Sequence, residues 1–293
     1  MSLFHEELDG LYGSGEVGVY VDMLFEAFLG WDKVRLLTSK EQTIDQSDLL
    51  RFHWALEDLK HYRPIQHIIG HTDFCGCRIE VGPDVLIPRP ETEELVNSLI
   101  SSPSLHEEGS KILDLCTGSG CIAIALKKAF PQAEVIAVDI SENALAIARR
   151  NAAINDTEIT FLQADVLSET FHFPLSSLHS FSSSRCSVPL RGATFHLIIS
   201  NPPYVRERER SQMQRNVLDF DPALALFVPN DDPLRFYHAI AAIAKQHLAP
   251  DGLLVTEINE SLADEVCTLF REQGFSPTVH TDFRGKNRWV TAN

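Results

Sequence analysis

The sequence predicts a doubly wound α/β domain with a mostly parallel sheet, preceded by a small helical bundle. Candidate strands and helices alternate from Lys111 onward, and a glycine-rich loop follows the first of these strands. Residues 1–70 instead place apolar side chains at helical spacing, with no stretch that alternates like a strand. Because alternating strands and helices build a parallel sheet covered on both faces, the two patterns predict two domains of different class.

Charge and composition exclude several classes of protein. The chain has 293 residues and a formal net charge of −16, with 25 basic and 41 acidic side chains. A protein that binds nucleic acid needs a basic surface, so direct nucleic-acid binding is not expected. No apolar run approaches the roughly 18 residues of a membrane span. Residues 1–10 are acidic where a signal peptide would be basic, so we expect a cytoplasmic protein without a membrane partner.

The cysteines are too sparse for a disulfide framework, and they lack the paired Cys-x-x-Cys arms of a zinc site. We therefore expect reduced, mostly buried thiols and no bound metal. The six positions are Cys75, Cys77, Cys116, Cys121, Cys186 and Cys267.

Two helices are predicted in the N-terminal region. One runs over Val17–Leu29 and ends at Gly30, because glycine commonly terminates helices. The other runs over Ser47–Lys60, with Ser47 or Asp48 as its cap. Its predicted apolar face consists of Leu49, Phe52, Leu56 and Leu59. Residues 71–88 alternate around turn residues, which predicts a β-hairpin linker between a helical domain over 1–70 and a domain over 89–293.

The second domain is predicted to contain five strands, a final hairpin and four helices. The strands are Lys111–Leu115, Glu134–Ile140, Glu158–Ala164, Phe195–Ser200, Gly252–Ile258, Thr278–Asp282 and Arg288–Thr291. The helices are Gly120–Phe130, Ser141–Ile154, Leu234–Leu248 and Ser261–Gln273. Residues 176–187 are rich in serine and lack any periodicity, which is typical of a surface loop.

The loop after the first strand has the form of a nucleotide-binding turn. Gly118 and Gly120 remove Cβ atoms where the backbone must approach a ligand, and a helix begins directly after them. Asp139 ends the next strand, where its carboxylate can accept hydrogen bonds from two ribose hydroxyls. This unit alone is compatible with either NAD or S-adenosylmethionine. Asp114 favours the second, because a carboxylate repels a pyrophosphate and complements an ammonium or a sulfonium. Asp165 ends the third strand, near the expected adenine edge.

The strand Phe195–Ser200 ends in Asn201-Pro202-Pro203-Tyr204. Two prolines make this turn rigid and leave nearby carbonyl groups without a partner in the sheet. The Asn201 side-chain oxygen and the Pro202 carbonyl then form a pair of acceptors for a planar –NH2 group, and Tyr204 can stack on that group. Such a pair can orient a weakly nucleophilic amide nitrogen toward an activated methyl group.

These motifs resemble the amino-methyltransferases of the class I S-adenosylmethionine-dependent fold, which carry Asn-Pro-Pro-Tyr. Two branches share that tetrapeptide: N6-adenine DNA or RNA methyltransferases, and the HemK/PrmC family, which methylates a glutamine of peptide chain release factors. The second is the closer resemblance and covers nearly the whole chain. Its motifs here are Leu86-Ile-Pro-Arg-Pro-Glu-Thr-Glu93, Asp114-Leu-Cys-Thr-Gly-Ser-Gly120, Val138 to Asn151, Ser200 to Tyr204, Asp221-Pro-Ala-Leu-Ala-Leu226 and Asp282-x-x-Gly285-x-x-Arg288.

The resemblance implies a helical domain that grips the release factor, a hairpin linker and a catalytic domain with a seven-stranded sheet. It implies S-adenosylmethionine as methyl donor, S-adenosylhomocysteine as product, and the glutamine of a Gly-Gly-Gln motif as acceptor. Asn201, Pro202 and Tyr204 are then the catalytic residues, with Pro203 and Arg89 as further substrate contacts. The implied cofactor contacts are Asp114, Cys116, Thr117, Gly118, Ser119, Gly120, Asp139, Asp165, Val166 and Asn201.

Three positions depart from the family pattern. Cys116 and Asn259 stand where the family usually has Gly, and Asp221 stands where it usually has Glu. Asparagine tolerates a positive φ better than most residues, so Asn259 is compatible with a glycine-like conformation.

Two other functions are compatible with parts of the sequence. An adenine methyltransferase would need a basic cleft, which the net charge disfavours, and a non-catalytic module with this fold would not bind S-adenosylmethionine.

Overall fold

The structure is a computed structural model that describes residues 1–38, 42–101, 109–168 and 194–293. The Ser-rich segment 176–187 and Cys186 lie outside the described residues. The helices are α1 (Ser2–Tyr12), α2 (Ser14–Leu29), α3 (Lys33–Thr38), α4 (Gln46–Lys60), α5 (Ile65–Ile69), α6 (Pro90–Ile100), α7 (Cys121–Ala129), α8 (Glu142–Ile154), α9 (Arg215–Leu218), α10 (Ala223–Leu226), α11 (Arg235–His247) and α12 (Ala263–Glu272).

The strands are β1 (His71–Phe74), β2 (Cys77–Glu80), β3 (Lys111–Leu115), β4 (Glu134–Asp139), β5 (Thr160–Gln163), β6 (Phe195–Ser200), β7 (Val205–Arg206), β8 (Phe227–Val228), β9 (Leu248–Glu257), β10 (Pro277–Thr281) and β11 (Asn287–Ala292). The chain forms two compact units. The helical unit comprises Met1–His71 and Met213–Phe220, and the sheet unit comprises Thr72–Gln212 and Asp221–Asn293.

The helical unit is held together by the apolar faces of α1, α2 and α4. Helix α2 ends at Gly30, which has a left-handed φ of 65°, as the sequence predicts. Two details of the predicted α4 are wrong. Asp45, rather than Ser47 or Asp48, caps the helix, because its carboxylate accepts a hydrogen bond of 2.8 Å from the Asp48 amide. Leu49 is 58% exposed, because the buried face begins one turn later. The core residues are Phe4, Leu8, Val17, Val21, Leu24, Phe52, Leu56 and Leu59.

The sheet unit contains the predicted seven-stranded sheet, in the order β10-β11-β9-β6-β3-β4-β5. Strands β9, β6, β3, β4 and β5 pair in parallel, and β11 pairs antiparallel with both β9 and β10. Alternate residues of β3 face opposite sides, as a pleated strand requires. Leu113 and Leu115 join the apolar core with α11 and α12, whereas Ile112 packs with α6 and α7 on the other face. The doubly wound α/β class is therefore confirmed.

Strands β1 and β2 pair as a two-stranded sheet around the turn Cys75-Gly76, whose φ angles are 48° and 72°. Two buried asparagines fasten this sheet, one within α8 and one directly after its last residue. Asn151 donates to the Glu80 carbonyl at 3.0 Å and accepts from the Glu80 amide at 2.7 Å. Asn155 makes the same pair of bonds to the backbone of Arg78. Because both edges of each amide are used, the register between β2 and α8 is tightly specified.

The cysteines at 75, 77, 116, 121 and 267 carry free thiols. Burial raises the pKa of Cys75 and of Cys121 to about 12, so these thiols are protonated and unreactive. Within the described residues, no helix is long and apolar enough to cross a membrane.

Candidate active site

A cavity of about 320 Å³ opens at the carboxyl edge of the sheet. The parallel strands β3, β4 and β6 end there, and β3 lies between the other two. In the sheet order, the chain continues from β3 to β4 on one side and from β6 to β9 on the other. The ends of β3 and β6 therefore form the point of reversal at which open α/β sheets bind their ligands. The cavity volume lies in the range of about 300–1,000 Å³ typical of small-molecule sites.

The loop from β3 to α7 forms the floor of the cavity. Cys116, Gly118 and Gly120 all have left-handed backbones, with φ angles of 61°, 55° and 80°. The loop is tied to the neighbouring strand by a hydrogen bond of 3.0 Å from the Thr117 amide to the Val138 carbonyl. Cys116 thus keeps a backbone conformation that suits glycine, at the cost of steric strain in a residue with a Cβ atom.

Asp139 is held by the backbone on both of its carboxylate oxygens. Oδ2 accepts a hydrogen bond of 2.8 Å from the Gly118 amide, and Oδ1 accepts one of 2.9 Å from the Ser141 amide. Burial raises the pKa of this carboxyl group, and the backbone donors oppose that shift. Asp139 lines the cavity, and each oxygen retains a lone pair. This fixed pair of acceptors fits the two hydroxyls of a ribose.

Asp114 acts from beneath the loop. It is fully buried, and its carboxylate accepts a hydrogen bond of 2.5 Å from the Thr117 hydroxyl. Burial raises its pKa to about 7, although the Thr117 bond opposes that rise. The side chain supports Thr117, which itself lines the cavity. The structure therefore gives Asp114 a supporting role outside the cavity lining, and the direct cofactor contact predicted for it stays a prediction.

Asn201 lines the cavity at the end of β6 and has one side of its amide fixed. Its Nδ2 donates a hydrogen bond of 3.2 Å to Oγ1 of Thr92. The Thr92 hydroxyl in turn donates to Oε2 of Glu257 at 2.6 Å. Among the described residues none donates to Asn201 Oδ1. The Asn201 oxygen is therefore available as an acceptor.

Tyr204 is anchored away from the cavity lining. Its hydroxyl donates a hydrogen bond of 2.8 Å to Oε1 of Glu257, and its ring packs against the apolar core. Burial raises the pKa of this hydroxyl well above its usual range. Asn259 Nδ2 also donates to the Tyr204 carbonyl at 3.2 Å. These two bonds immobilise the loop after the prolines, whereas stacking on a substrate amide stays a prediction.

Arg89 forms an ion pair with Asp221, and both side chains are largely withdrawn from solvent. Arg89 lines the cavity, and so do Pro222, Leu224 and Ala225, which directly follow Asp221. The pair thus joins the segment before α6 to the segment that contains α10. Burial raises the pKa of Asp221, and the Arg89 charge opposes that shift.

Most predicted site residues meet at this cavity. Those that line it are Arg89, Cys116, Thr117, Gly118, Ser119, Asp139, Asp165, Val166, Asn201 and Pro203. As far as the described residues define the cavity, four predicted residues are not part of its lining: Asp114, Gly120, Pro202 and Tyr204. Gly120 acts by its small size, because a Cβ atom there would lie 3.0 Å from the Ala148 Cβ.

Sequence reasoning missed the roles of Thr92, Glu257 and Asn259. The sequence does contain a signal for Glu257: this acidic residue directly follows the strand-like run Leu253-Leu-Val-Thr256. A carboxylate at the end of a buried strand needs hydrogen-bond partners, which indicates a structural or functional role. Asn259 does not use the positive φ that asparagine tolerates, because its φ is −66°. Its side chain instead caps the following 3₁₀ helix, accepting from the Ser261 amide at 3.1 Å. That bond explains the choice of asparagine here without any glycine-like conformation.

The described part of the chain contains no group of three His, Cys, Asp or Glu side chains that could hold a metal ion. The site is built instead from backbone donors, fixed carboxylates and one oriented amide. Such a set suits a polar organic cosubstrate and a neutral acceptor group.

Comparison with known proteins agrees with this geometry. Residues 112–191 match the family model of a methyltransferase domain, and residues 12–70 match that of the PrmC N-terminal domain. The sheet, the glycine-rich loop and these matches define a methyltransferase of the class I fold, the class that uses S-adenosylmethionine.

Relatives define the particular family. The chain is 37% identical over 295 residues to the release factor glutamine methyltransferase of Flavobacterium psychrophilum, which covers 99% of this chain and 96% of that protein. The corresponding protein of Bacteroides thetaiotaomicron is 37% identical over 289 residues, or 98% and 96% of the two chains. That of Koribacter versatilis is 36% identical over 269 residues, or 92% and 88%. The chain belongs to the release factor glutamine methyltransferase family, which confirms the HemK/PrmC resemblance and disfavours the adenine methyltransferase alternative.

Proposed function

We propose that this chain transfers a methyl group from S-adenosylmethionine to the side-chain amide nitrogen of the glutamine in the Gly-Gly-Gln motif of peptide chain release factors. The observation that carries the proposal is the orientation of Asn201, whose nitrogen is bound to Thr92 and whose oxygen is left to accept. An acceptor at the cavity surface suits a substrate that presents N–H groups. A glutamine side chain ends in such a group.

The residues of the loop fit the methyl donor. When bound, S-adenosylmethionine supplies an electrophilic methyl group on a sulfonium centre. Asp139 offers two fixed oxygens for the ribose hydroxyls, and Gly118 leaves open space where a Cβ atom would stand. Asp165 and Val166 line the same cavity and would contact the adenine. Cys116, Thr117 and Ser119 would contact the remainder of the molecule.

Asn201 and Pro202 would act by orienting the acceptor nitrogen. An amide nitrogen is a weak nucleophile because its lone pair is delocalised into the carbonyl group. Acceptors at Asn201 Oδ1 and the Pro202 carbonyl hold both of its hydrogens, which places the nitrogen in a single attack geometry. The same acceptors stabilise the positive charge that develops on the nitrogen. No strong base is then needed, because the methylated nitrogen becomes acidic while it carries that charge.

The helical unit is proposed to grip the release factor. Its α4 exposes two large apolar side chains, Leu50 and Trp54, which are 53% and 64% accessible. The two lie four residues apart and so on one face of α4, and a contiguous apolar patch, unlike scattered apolar residues, marks a protein-binding surface. The reaction is expected in the cytoplasm, as the sequence predicts.

A labelled-methyl assay tests the proposed function. The enzyme is incubated with labelled S-adenosylmethionine and a purified release factor, in wild-type form and with the motif glutamine changed to alanine. Label on the wild-type factor alone is the expected result. Label that persists on the alanine form, or appears only on nucleic acid, would contradict the proposal.

Asn201→Ala provides the matched enzyme control. Turnover is expected to fall by at least about 100-fold, because removing one oriented polar group of this kind costs 100- to 1,000-fold. Affinity for S-adenosylmethionine, measured by calorimetry, is expected to change little. Near-normal turnover of this variant would contradict the role of Asn201.

A further inference from the structure

Two buried residues behind Asn201 complete a chain of hydrogen bonds. Thr92 is the third residue of α6, and Glu257 is the last residue of β9. They are only 2% and 1% exposed. Thr92 has Asn201 on one side and Glu257 on the other, with distances of 3.2 Å and 2.6 Å from its hydroxyl oxygen.

The number of available hydrogens determines which group donates and which accepts in each of these hydrogen bonds. Glu257 accepts from the Thr92 hydroxyl on one oxygen and from the Tyr204 hydroxyl on the other. The Thr92 hydroxyl donates to Glu257, and when Glu257 is ionised this is the only direction possible, because a carboxylate can only accept. The Thr92 oxygen can then only accept from Asn201. Asn201 must therefore turn its –NH2 group inward and its oxygen toward the cavity.

We propose that Glu257, acting through Thr92, is a positioning residue that fixes the side-chain amide of Asn201 with its oxygen directed at the acceptor substrate. This inference rests on the proposed function, because the direction of the amide matters for a substrate that presents N–H groups. The oxygen and nitrogen ends of the Asn201 amide have nearly the same shape. Without the hydrogen bonds to Thr92 and Glu257, the amide could rotate by 180° and present its –NH2 group to the cavity as a donor.

Burial of Glu257 disfavours its charged form, and the hydrogen-bond partners only partly offset that cost. Burial raises its pKa, while hydrogen bonds from Thr92 and Tyr204 and the positive charge of Arg288 lower it. Glu91 raises it further by repulsion. Arg288 is itself bound to Asp282 by two hydrogen bonds of 3.0 Å. Tyr237 is a further titratable neighbour, and its hydroxyl donates to the Glu257 carbonyl at 3.4 Å.

Substitution of Thr92 directly tests the hydrogen bonds that link Asn201 to Glu257. Thr92→Val keeps the shape of the side chain and removes the hydroxyl, so Asn201 is free to rotate. We expect kcat for release-factor methylation to fall about 10- to 100-fold, the usual cost of a misplaced reacting group. Affinity for S-adenosylmethionine should not change. Thr92→Ser restores the hydroxyl and should restore most of kcat.

Thr256→Val is the matched control. Thr256 is fully buried beside Glu257, and its hydroxyl donates to the Glu257 backbone carbonyl at 3.1 Å, outside the chain to Asn201. The Thr256→Val substitution should leave kcat for release-factor methylation unchanged. If Thr256→Val lowers kcat as much as Thr92→Val does, the loss reflects packing and the inference is overturned.

Acidic pH provides a second readout. Protonation of Glu257 adds a donor to the chain, so kcat should fall as pH decreases through the raised pKa of this residue. Glu257→Gln can accept strongly on only one atom, and it should lower kcat about tenfold while removing that pH-dependent step. A wild-type pH profile that survives unchanged in Glu257→Gln would overturn the inference.

A measurement that needs no turnover separates this inference from the proposed function. The side-chain amide of Asn201 can be followed by ¹⁵N NMR in the full chain, with Asn201→Ala used to assign the signal. Thr92→Val should shift that signal and Thr92→Ser should not; an unshifted signal would refute the chain of hydrogen bonds. Absence of methyl transfer by the wild-type enzyme would refute the proposed function alone.

Discussion

The amide of Gly118 donates a hydrogen bond of 2.8 Å to Oδ2 of Asp139, joining the glycine-rich loop to the end of the neighbouring strand. This bond fixes the spacing between the part of the loop that would hold the methionine moiety and the carboxylate that would hold the ribose. It also fixes the orientation of the Asp139 carboxylate before any ligand binds. Such prior orientation reduces the entropic cost of binding.

Asp139→Asn should therefore weaken cosubstrate binding. The amide has one acceptor oxygen for two backbone donors, so one of the bonds from Gly118 and Ser141 is lost, together with the charge. We expect the affinity for S-adenosylmethionine to fall about 10- to 100-fold, which corresponds to roughly 1.4–2.8 kcal/mol. Calorimetric titration measures it. Asp156→Asn makes the same change of charge on an exposed residue and should bind normally; equal affinities of both variants would contradict the role of Asp139.

Gly118 and Gly120 should respond differently to alanine. Both have positive φ, so each substitution carries a left-handed strain of about 1–2 kcal/mol. At Gly118 no described atom lies within 4 Å of the new Cβ, whereas at Gly120 the Cβ would lie 3.0 Å from Ala148 and 3.3 Å from Ile124. Gly120→Ala should thus lower the free energy of unfolding by about 1–3 kcal/mol more than Gly118→Ala. Denaturant unfolding compares the two, and equal losses would show that the contact with α8 is readily relieved.

Cys116 offers a test of backbone strain at the site. Its φ of 61° suits glycine, so Cys116→Gly relieves strain while losing the packing of the thiol. Cys116→Ala loses the same thiol and keeps the strain. We expect the glycine variant to be the more stable of the two by about 1 kcal/mol in thermal or chemical unfolding. If the alanine variant is as stable as the glycine variant, the strain at this position is no larger than the roughly 0.4–1 kcal/mol that the greater freedom of glycine in the unfolded state costs.

Asp114 should make the stability of the sheet unit depend on pH. Its pKa is about 7 in the folded chain, raised by burial from an ordinary value near 4. An acid with a raised pKa binds more protons when folded, so its contribution is complete below about pH 4 and is lost as pH rises through about 7. Compared with Asp114→Asn, the wild-type chain should lose a few kcal/mol of stability over that range. Unfolding at several pH values measures the difference, and parallel pH profiles for the two chains would exclude a protonated Asp114.

The sheet and its helices could be predicted closely because each has a local signal. The predicted strands Lys111–Leu115 and Phe195–Ser200 coincide with β3 and β6, and α7, α8, α11 and α12 lie within the predicted helices. Buried parallel strands are short apolar runs, and the helices between them have one apolar face and clear end signals. Strand β9 begins at Leu248, earlier than predicted, because its irregular start pairs with Phe195.

The predictions about single side chains were less accurate, because local pattern does not specify what a side chain contacts. Leu49 has the helical spacing of a core residue and is exposed, and Asn259 has a glycine's place in the motif and an ordinary φ. The buried face of α4 begins only at Phe52, and Asn259 caps the helical turn that follows it. The cap at Asp45 was missed because Ser47 and Asp48 are equally good caps in sequence terms.

The amino-acid sequence by itself determined the fold class, the family and the group of residues at the carboxyl edge of the sheet. Strand ends are local features, and parallel strands bring their carboxyl ends together whatever lies between them. Only the tertiary structure decided how those residues are oriented. Thr92 is 109 residues from Asn201 along the polypeptide and 165 residues from Glu257, yet it is hydrogen-bonded to both. The direction of such a chain depends on where three separate elements pack, and no local pattern in the sequence contains that information.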